Sequence, residues 1–198
     1  MRTKQRTMLL CVAALSCLPH VPAHAIDVHL TEQQIQAALD QGKEAARKGM
    51  SPDSFYVRFG VADEVQSKGF LITKVGALSV MATHMALRGL QTSEADVTQV
   101  LEGKTMLINT VIFGNKPDFA VASYMVLTQG GKTIKPVTVR FDAQADRSVV
   151  WPESPKFKAK VIASFNYADF DPKAKTTITV FPASGGESSF SMDFTEIR

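Results

Sequence analysis

Length, composition and charge restrict the protein to a few classes. The chain has 198 residues, 45% of them hydrophobic and 21% charged, with two cysteines, four histidines and a formal net charge of +3. This length allows a core that buries about two thirds of the unfolded surface. The small net charge argues against nucleic acid as a partner, because nucleic-acid binding neutralises many phosphates.

The first 25 residues have the pattern of a secretory signal peptide. Arg2, Lys4 and Arg6 precede an apolar run from Met8 to Leu18, and Ala23-His24-Ala25 ends the stretch with small residues. We therefore predict cleavage after Ala25. The apolar run is shorter than the roughly 20 residues of a membrane span. The sequence thus predicts an exported protein, periplasmic or extracellular, whose mature chain has no transmembrane span.

The leader also contains both cysteines, Cys11 and Cys17. One alternative is a lipoprotein in which Cys17, after Ala14-Leu15-Ser16, is lipidated and anchors the chain to a membrane. Cleavage after Ala25 instead removes both thiols, together with the basic residues that give the precursor its positive charge. Residues 26–198 are then neutral and cannot form a disulfide, a thiolate metal site or a cysteine nucleophile.

Residues 26–103 predict helices. Thr31 and Gln34 form a capping box for a first helix, which Gly49 terminates. The segment from Phe55 to Phe59 reads as a short strand or extended chain. A second helix is expected over Phe70–Arg88, with an apolar stripe that includes Leu78 and Ala82, and a third begins at the Ser93 cap and runs to about Leu101.

Residues 104–198 change to a two-residue period, which predicts strands separated by turns. The expected strands are Met106–Phe113, Phe119–Thr128, Val137–Phe141, Ser148–Trp151, Phe157–Tyr167, Thr176–Phe181 and Ser189–Thr195. We therefore predict an α+β fold: a signal peptide over 1–25, a helical segment over 26–103, and an antiparallel β-sandwich of about seven strands over 104–198. In architecture this sandwich is similar to immunoglobulin and fibronectin domains.

Two groups of residues are candidate sites. Trp151 and the basic residues Lys156, Lys158 and Lys160 predict a binding surface, with an ordinary solvated sheet edge as the alternative. Met81, His84 and Met85 share one helical face and could hold a soft metal ion, with core packing as the alternative.

Histidine is scarce after the leader, and no nucleophile motif or phosphate-binding glycine loop is present. We therefore predict a non-enzymatic, envelope-associated protein that needs no cofactor and binds another protein. One alternative is a carrier that holds a small molecule or metal ion between the helices and the sandwich. A second is a hydrolase using carboxylates such as Asp169 and Asp171.

Overall fold

A computed structural model of the chain describes residues 26–197. The predicted signal peptide, its cleavage site and Cys17 lie outside the described residues. Within them the fold is mixed α+β, with three α-helices, two short 3-10 helices and ten strands. In chain order the elements are α1 (Glu32–Arg47), a 3-10 helix (Pro52–Phe55), β1 (Val57–Gly60), β2 (Lys68–Ile72), α2 (Lys74–Leu87), α3 (Glu94–Leu101), β3 (Thr105–Gly114), β4 (Tyr124–Gln129), β5 (Lys132–Ile134), β6 (Thr138–Phe141), β7 (Asp146–Arg147), β8 (Phe157–Asn166), β9 (Lys175–Phe181), β10 (Ser188–Asp193) and a 3-10 helix (Phe194–Glu196).

The strands form two antiparallel sheets around one hydrophobic core. The six-stranded sheet has the order β1-β2-β3-β8-β6, with β7 also pairing with β8, and the four-stranded sheet has the order β10-β9-β4-β5. Alternate residues of both sheets meet in a single buried cluster, as Ile108 of β3, Phe165 of β8 and Ile178 of β9 illustrate. Ile26, the residue after the predicted cleavage site, is buried in the same cluster.

The helices α1 and α2 pack side by side with very close backbones, and they run in the same direction, because Ser79 contacts Ala38 and Thr83 contacts Gly42. A Cβ atom on Gly42 would lie against the Ser79 carbonyl oxygen and 2.7 Å from the Ala82 Cβ atom. Two hydroxyl groups cross the interface: Ser79 Oγ donates to the Ala38 carbonyl at 3.0 Å, and Thr83 Oγ1 donates to the Gly42 carbonyl at 3.0 Å. Small residues on both helices thus allow contact without a large apolar interface.

The structure confirms part of the predicted secondary structure. The first and third helices match α1 and α3, and both begin with capping boxes, formed by Thr31 with Gln34 and by Ser93 with Asp96. The segment around Phe55–Phe59 divides into the first 3-10 helix and β1, and β1 joins the six-stranded sheet.

Several predictions need correction. The second helix begins at Lys74 and not at Phe70, because residues 68–72 are strand β2, paired with β1 and β3. Residues 104–197 contain eight strands where about seven were expected, and two further strands, β1 and β2, lie before residue 103 and join the six-stranded sheet.

The predicted strand Ser148–Trp151 is also wrong. Only Asp146–Arg147 pairs with β8, and the chain then turns. Three hydrogen bonds tie this turn to the start of β8 and to itself: Ser148 Oγ donates to the Pro155 carbonyl, the Ser148 N–H donates to the Lys156 carbonyl, and the Trp151 N–H donates to the Ser148 carbonyl.

Candidate functional site

The face of the six-stranded sheet that points away from the core carries an apolar strip. Along β3 the buried residues alternate with half-buried ones, so that Leu107, Asn109, Val111 and Phe113 share the outer face. On β8, Ile162 lies opposite Asn109 on the same face and is also half-buried.

Three lysines stand beside the strip because of the strand register. Lys68 of β2 and Lys160 of β8 are the two cross-strand partners of Val111, and Lys158 is the partner of Phe113. The Lys68 ammonium donates to the Asp63 backbone carbonyl. Within residues 26–197, the ammonium groups of Lys158 and Lys160 have no carboxylate within 4.0 Å.

Two adjoining clefts cross this face and together form what we call the sheet groove. The first encloses about 350 Å³ and includes Lys158, Lys160 and Phe113 in its lining; the second encloses about 370 Å³ and includes Phe70 and Asn109. The two clefts share Glu64, Lys68 and Val111.

The groove has charges of both signs around its apolar floor. Asp142 and Asp146 line the first cleft together with Glu64. The Asp142 carboxylate accepts the Lys160 backbone N–H at 2.7 Å, which fixes the loop after β6 against β8. An apolar centre with a charged rim is the usual anatomy of a protein-binding surface.

One buried polar atom in the groove lacks a partner. The Asn109 side-chain oxygen is inaccessible to solvent and accepts no hydrogen bond from the described residues. A buried acceptor without a donor costs about 1–3 kcal/mol.

The structure brings together only some of the residues predicted to bind. Lys158 and Lys160 both line the sheet groove, whereas Lys156 is exposed in the 148–156 turn beside it. Trp151 is 44% exposed in that turn, and the Arg147 guanidinium lies over its ring, 4.2 Å from the centroid. Val149 of the same turn lines the groove, so Trp151 stands near its border and not on its floor.

The predicted soft-metal residues lie on α2, far along the chain from the sheet groove. His84 is exposed, and Met81 and Met85 are half-buried. Residues 26–197 contain no group of three or more histidine, cysteine, aspartate or glutamate side chains placed to hold a metal ion. A site built on the two thioethers and one imidazole stays a prediction.

The carboxylates suggested for hydrolysis have structural contacts. Asp171 caps a turn, where its carboxylate accepts the Lys173 N–H at 2.8 Å and its backbone N–H donates to the Gln129 side chain at 2.8 Å. Asp169 is exposed, and neither residue lines the sheet groove.

Sequence reasoning missed Lys68 and Asn109. Lys68 was missed because residues 70–72 of β2 were read as the start of the second helix, so its cross-strand position could not be foreseen. Asn109 carries a usable signal, since it is the one amide side chain in the strand Met106–Phe113, whose other residues apart from Thr110 are apolar.

Comparisons with known proteins do not identify a family for this chain. No model of a protein family matches the sequence, and no curated protein matches it. The archaellum periplasmic stator protein FlaG from Sulfolobus acidocaldarius is similar over 45% of this chain and 86% of that chain, with 11% identity and a TM-score of 0.32. The archaellum periplasmic stator protein complex of FlaF and FlaG from the same organism is similar over 45% of this chain and 77% of that chain, with 13% identity and a TM-score of 0.28. Because both TM-scores are low, neither likeness identifies what this chain does.

The described helices are short. The longest, α1, has 16 residues, and no helix within residues 26–197 has the length and apolarity needed to span a bilayer.

Proposed function

We propose that this protein is an exported, non-enzymatic binding protein of the cell envelope, and that it holds an extended segment of another protein in the sheet groove. The observation that carries the proposal is the combination, on one sheet face, of an apolar strip and two lysines that have no carboxylate partner within residues 26–197. The side chains of a bound segment would supply both carboxylates for the lysines and apolar contacts for the strip.

The finer details of the fold belong to the same proposal. We infer an immunoglobulin- or fibronectin-like β-sandwich, extended at one edge by β1 and β2. Its support is the pair of antiparallel sheets around one core. The predicted leader supports export. Mass spectrometry of the exported product distinguishes a chain that starts at Ile26 from one acylated at Cys17.

Site-specific photocrosslinking in the source cell tests the binding surface. A photoreactive residue at Val111, on the groove floor, is expected to give a discrete adduct with another protein. The same residue at Thr177 is the control, because Thr177 is half-buried on β9 of the four-stranded sheet. Equal adducts at both positions would contradict the proposal.

Charge reversal then tests the role of the lysines. The double variant Lys158→Glu/Lys160→Glu is expected to reduce the affinity for the crosslinked partner by about tenfold or more, which corresponds to about 1.4 kcal/mol. Lys116→Glu/Lys173→Glu makes the same change in net charge at exposed positions outside the groove and is the matched control. Equal loss in both variants would show only a long-range charge effect.

The variant Trp151→Ala tests whether the binding surface extends beyond the sheet groove to the 148–156 turn. Because Trp151 lies outside the groove lining, a loss as large as that of the lysine variant would extend the binding surface to the 148–156 turn.

A further inference from the structure

A separate cleft, outside the sheet groove, lies at the end of the six-stranded sheet, between the helices and the strands. It encloses about 680 Å³, within the range of small-molecule sites. Its lining comes from the N-terminal segment (Val28 and His29), the start of α2 (Lys74), the α3–β3 connection (Leu101–Lys104) and the segment after β8 (Asn166–Ala168). We call it the Lys74 cleft.

Lys74 is the unusual residue of this cleft. It is only 8% exposed, yet no carboxylate of residues 26–197 lies within 4.0 Å of its ammonium group. The ammonium has three donors, and the one hydrogen bond it makes there is to the Leu101 carbonyl at the end of α3. It also lies 5.5 Å from the centroid of the Tyr167 ring.

The position of Lys74 makes its positive charge costly. Burial lowers the pKa of this lysine, because the charged form loses hydration. Lys74 is also the first residue of α2, where the helix dipole is positive and favours negative charge. The Leu101 carbonyl compensates part of this cost, and an anion in the cleft would compensate more of it.

The other lining residues favour an anion with an apolar body. Lys104 and His29 are exposed at the rim with one acidic residue, Glu102, so basic groups outnumber acidic ones in the lining. Tyr167 is 8% exposed, and its hydroxyl group forms no hydrogen bond within the described part of the chain. Burial raises the pKa of Tyr167 to about 12, so the hydroxyl group remains a donor at neutral pH.

We propose that the Lys74 cleft binds a small organic carboxylate, with the carboxylate group on the Lys74 ammonium and the apolar body against Tyr167 and Val28. This site would serve a carrier or a ligand-regulated protein. It shares no residue with the sheet groove, so either proposal can fail while the other stands.

Benzoate is the test probe, with benzamide as its neutral analogue of similar shape and acetate as a carboxylate without an apolar body. We expect benzoate to raise the melting temperature of the mature protein in a saturable way, and to bind at least tenfold more tightly than acetate. Benzamide should give no saturable shift. In NMR spectra, benzoate should perturb the backbone amides of Lys74, Leu101 and Tyr167.

The variant Lys74→Met keeps the length of the side chain and removes its charge. It should lose the benzoate-induced shift while circular dichroism remains that of the wild type, and Lys116→Met, exposed and outside the cleft, should keep it. If Lys74→Met does not fold, the wild-type amide perturbations decide alone. The proposal is overturned if benzoate gives no saturable shift, if its perturbations fall elsewhere, or if folded Lys74→Met binds benzoate like the wild type.

Discussion

At the scale of single residues, Tyr167 shows how burial shifts a pKa. Its pKa is raised to about 12 from the usual 10.0, and the cause is desolvation of the phenolate form. A raised pKa means that the folded state binds the proton more tightly than the unfolded state. The resulting stability is therefore complete below pH 10 and is lost as the pH rises toward 12.

This loss is measurable as a difference between variants. We expect the free energy of unfolding of the wild type to fall by roughly 2 kcal/mol more than that of Tyr167→Phe between pH 10 and pH 12. Denaturant unfolding at several pH values provides the measurement. Tyr124→Phe is the control, because Tyr124 is 41% exposed. Identical pH profiles for the wild type and Tyr167→Phe would contradict the prediction.

At the scale of elements, the close packing of α1 against α2 depends on the absence of a side chain at Gly42. At an exposed position inside a helix, replacing glycine with alanine stabilises the helix by about 1 kcal/mol. Here the added Cβ atom would meet the Ser79 carbonyl and the Ala82 side chain, and overpacking of this kind typically costs about 1–3 kcal/mol. It would also separate the Thr83 hydroxyl from the Gly42 carbonyl.

We therefore expect Gly42→Ala to lower the stability of the protein in spite of its better helix propensity. Chemical denaturation compares it with Gln41→Ala, which changes the exposed neighbouring position and should be neutral or slightly stabilising. A Gly42→Ala protein more stable than the wild type would show that the two helices can separate at no cost.

The elements also show which features the sequence could specify. Local signals predicted α1 and α3, because Thr31, Gln34 and Ser93 cap their own helices through contacts three residues apart. Alternation predicted β8, because its apolar and polar residues alternate over most of its length, and β3 was predicted from the turn residues that follow it. This alternation also placed Lys158 and Lys160 on one face.

The failures come from information that lies far away along the chain. The segment Lys68–Ile72 becomes a strand because it pairs with β1 and with β3, whose residues come more than thirty positions later. A short apolar run next to a helix cannot be distinguished from the start of that helix. The sheet groove and the Lys74 cleft were unpredictable for the same reason, since each joins residues that are distant along the chain and are brought together only by the tertiary fold.

At the scale of the whole molecule, the sheets and helix α1 differ in how they are stabilised. The main hydrophobic cluster contains residues of both sheets and of the two ends of the described chain, including Ile26 and Ile197. It contains no residue of α1 or α2. The buried residues of α1 are Ala38, Gly42 and Ala45, which contribute little apolar area, whereas α2 buries Leu78 completely. Helix α1 should therefore detach without unfolding of the sheets.

Native-state hydrogen exchange under increasing denaturant tests this division. We expect the amides of α1 to exchange with a lower free energy than those of β3 and β8, whose exchange should follow global unfolding. Gly42→Ala should lower the free energy of exchange of the α1 amides further. In this variant the β3 amides should still exchange with the free energy of global unfolding. If α1 and β3 exchange with the same free energy in both proteins, α1 and the sheets form one cooperative unit. Separate opening would instead provide a way for α1 to move without disturbing the sheet groove.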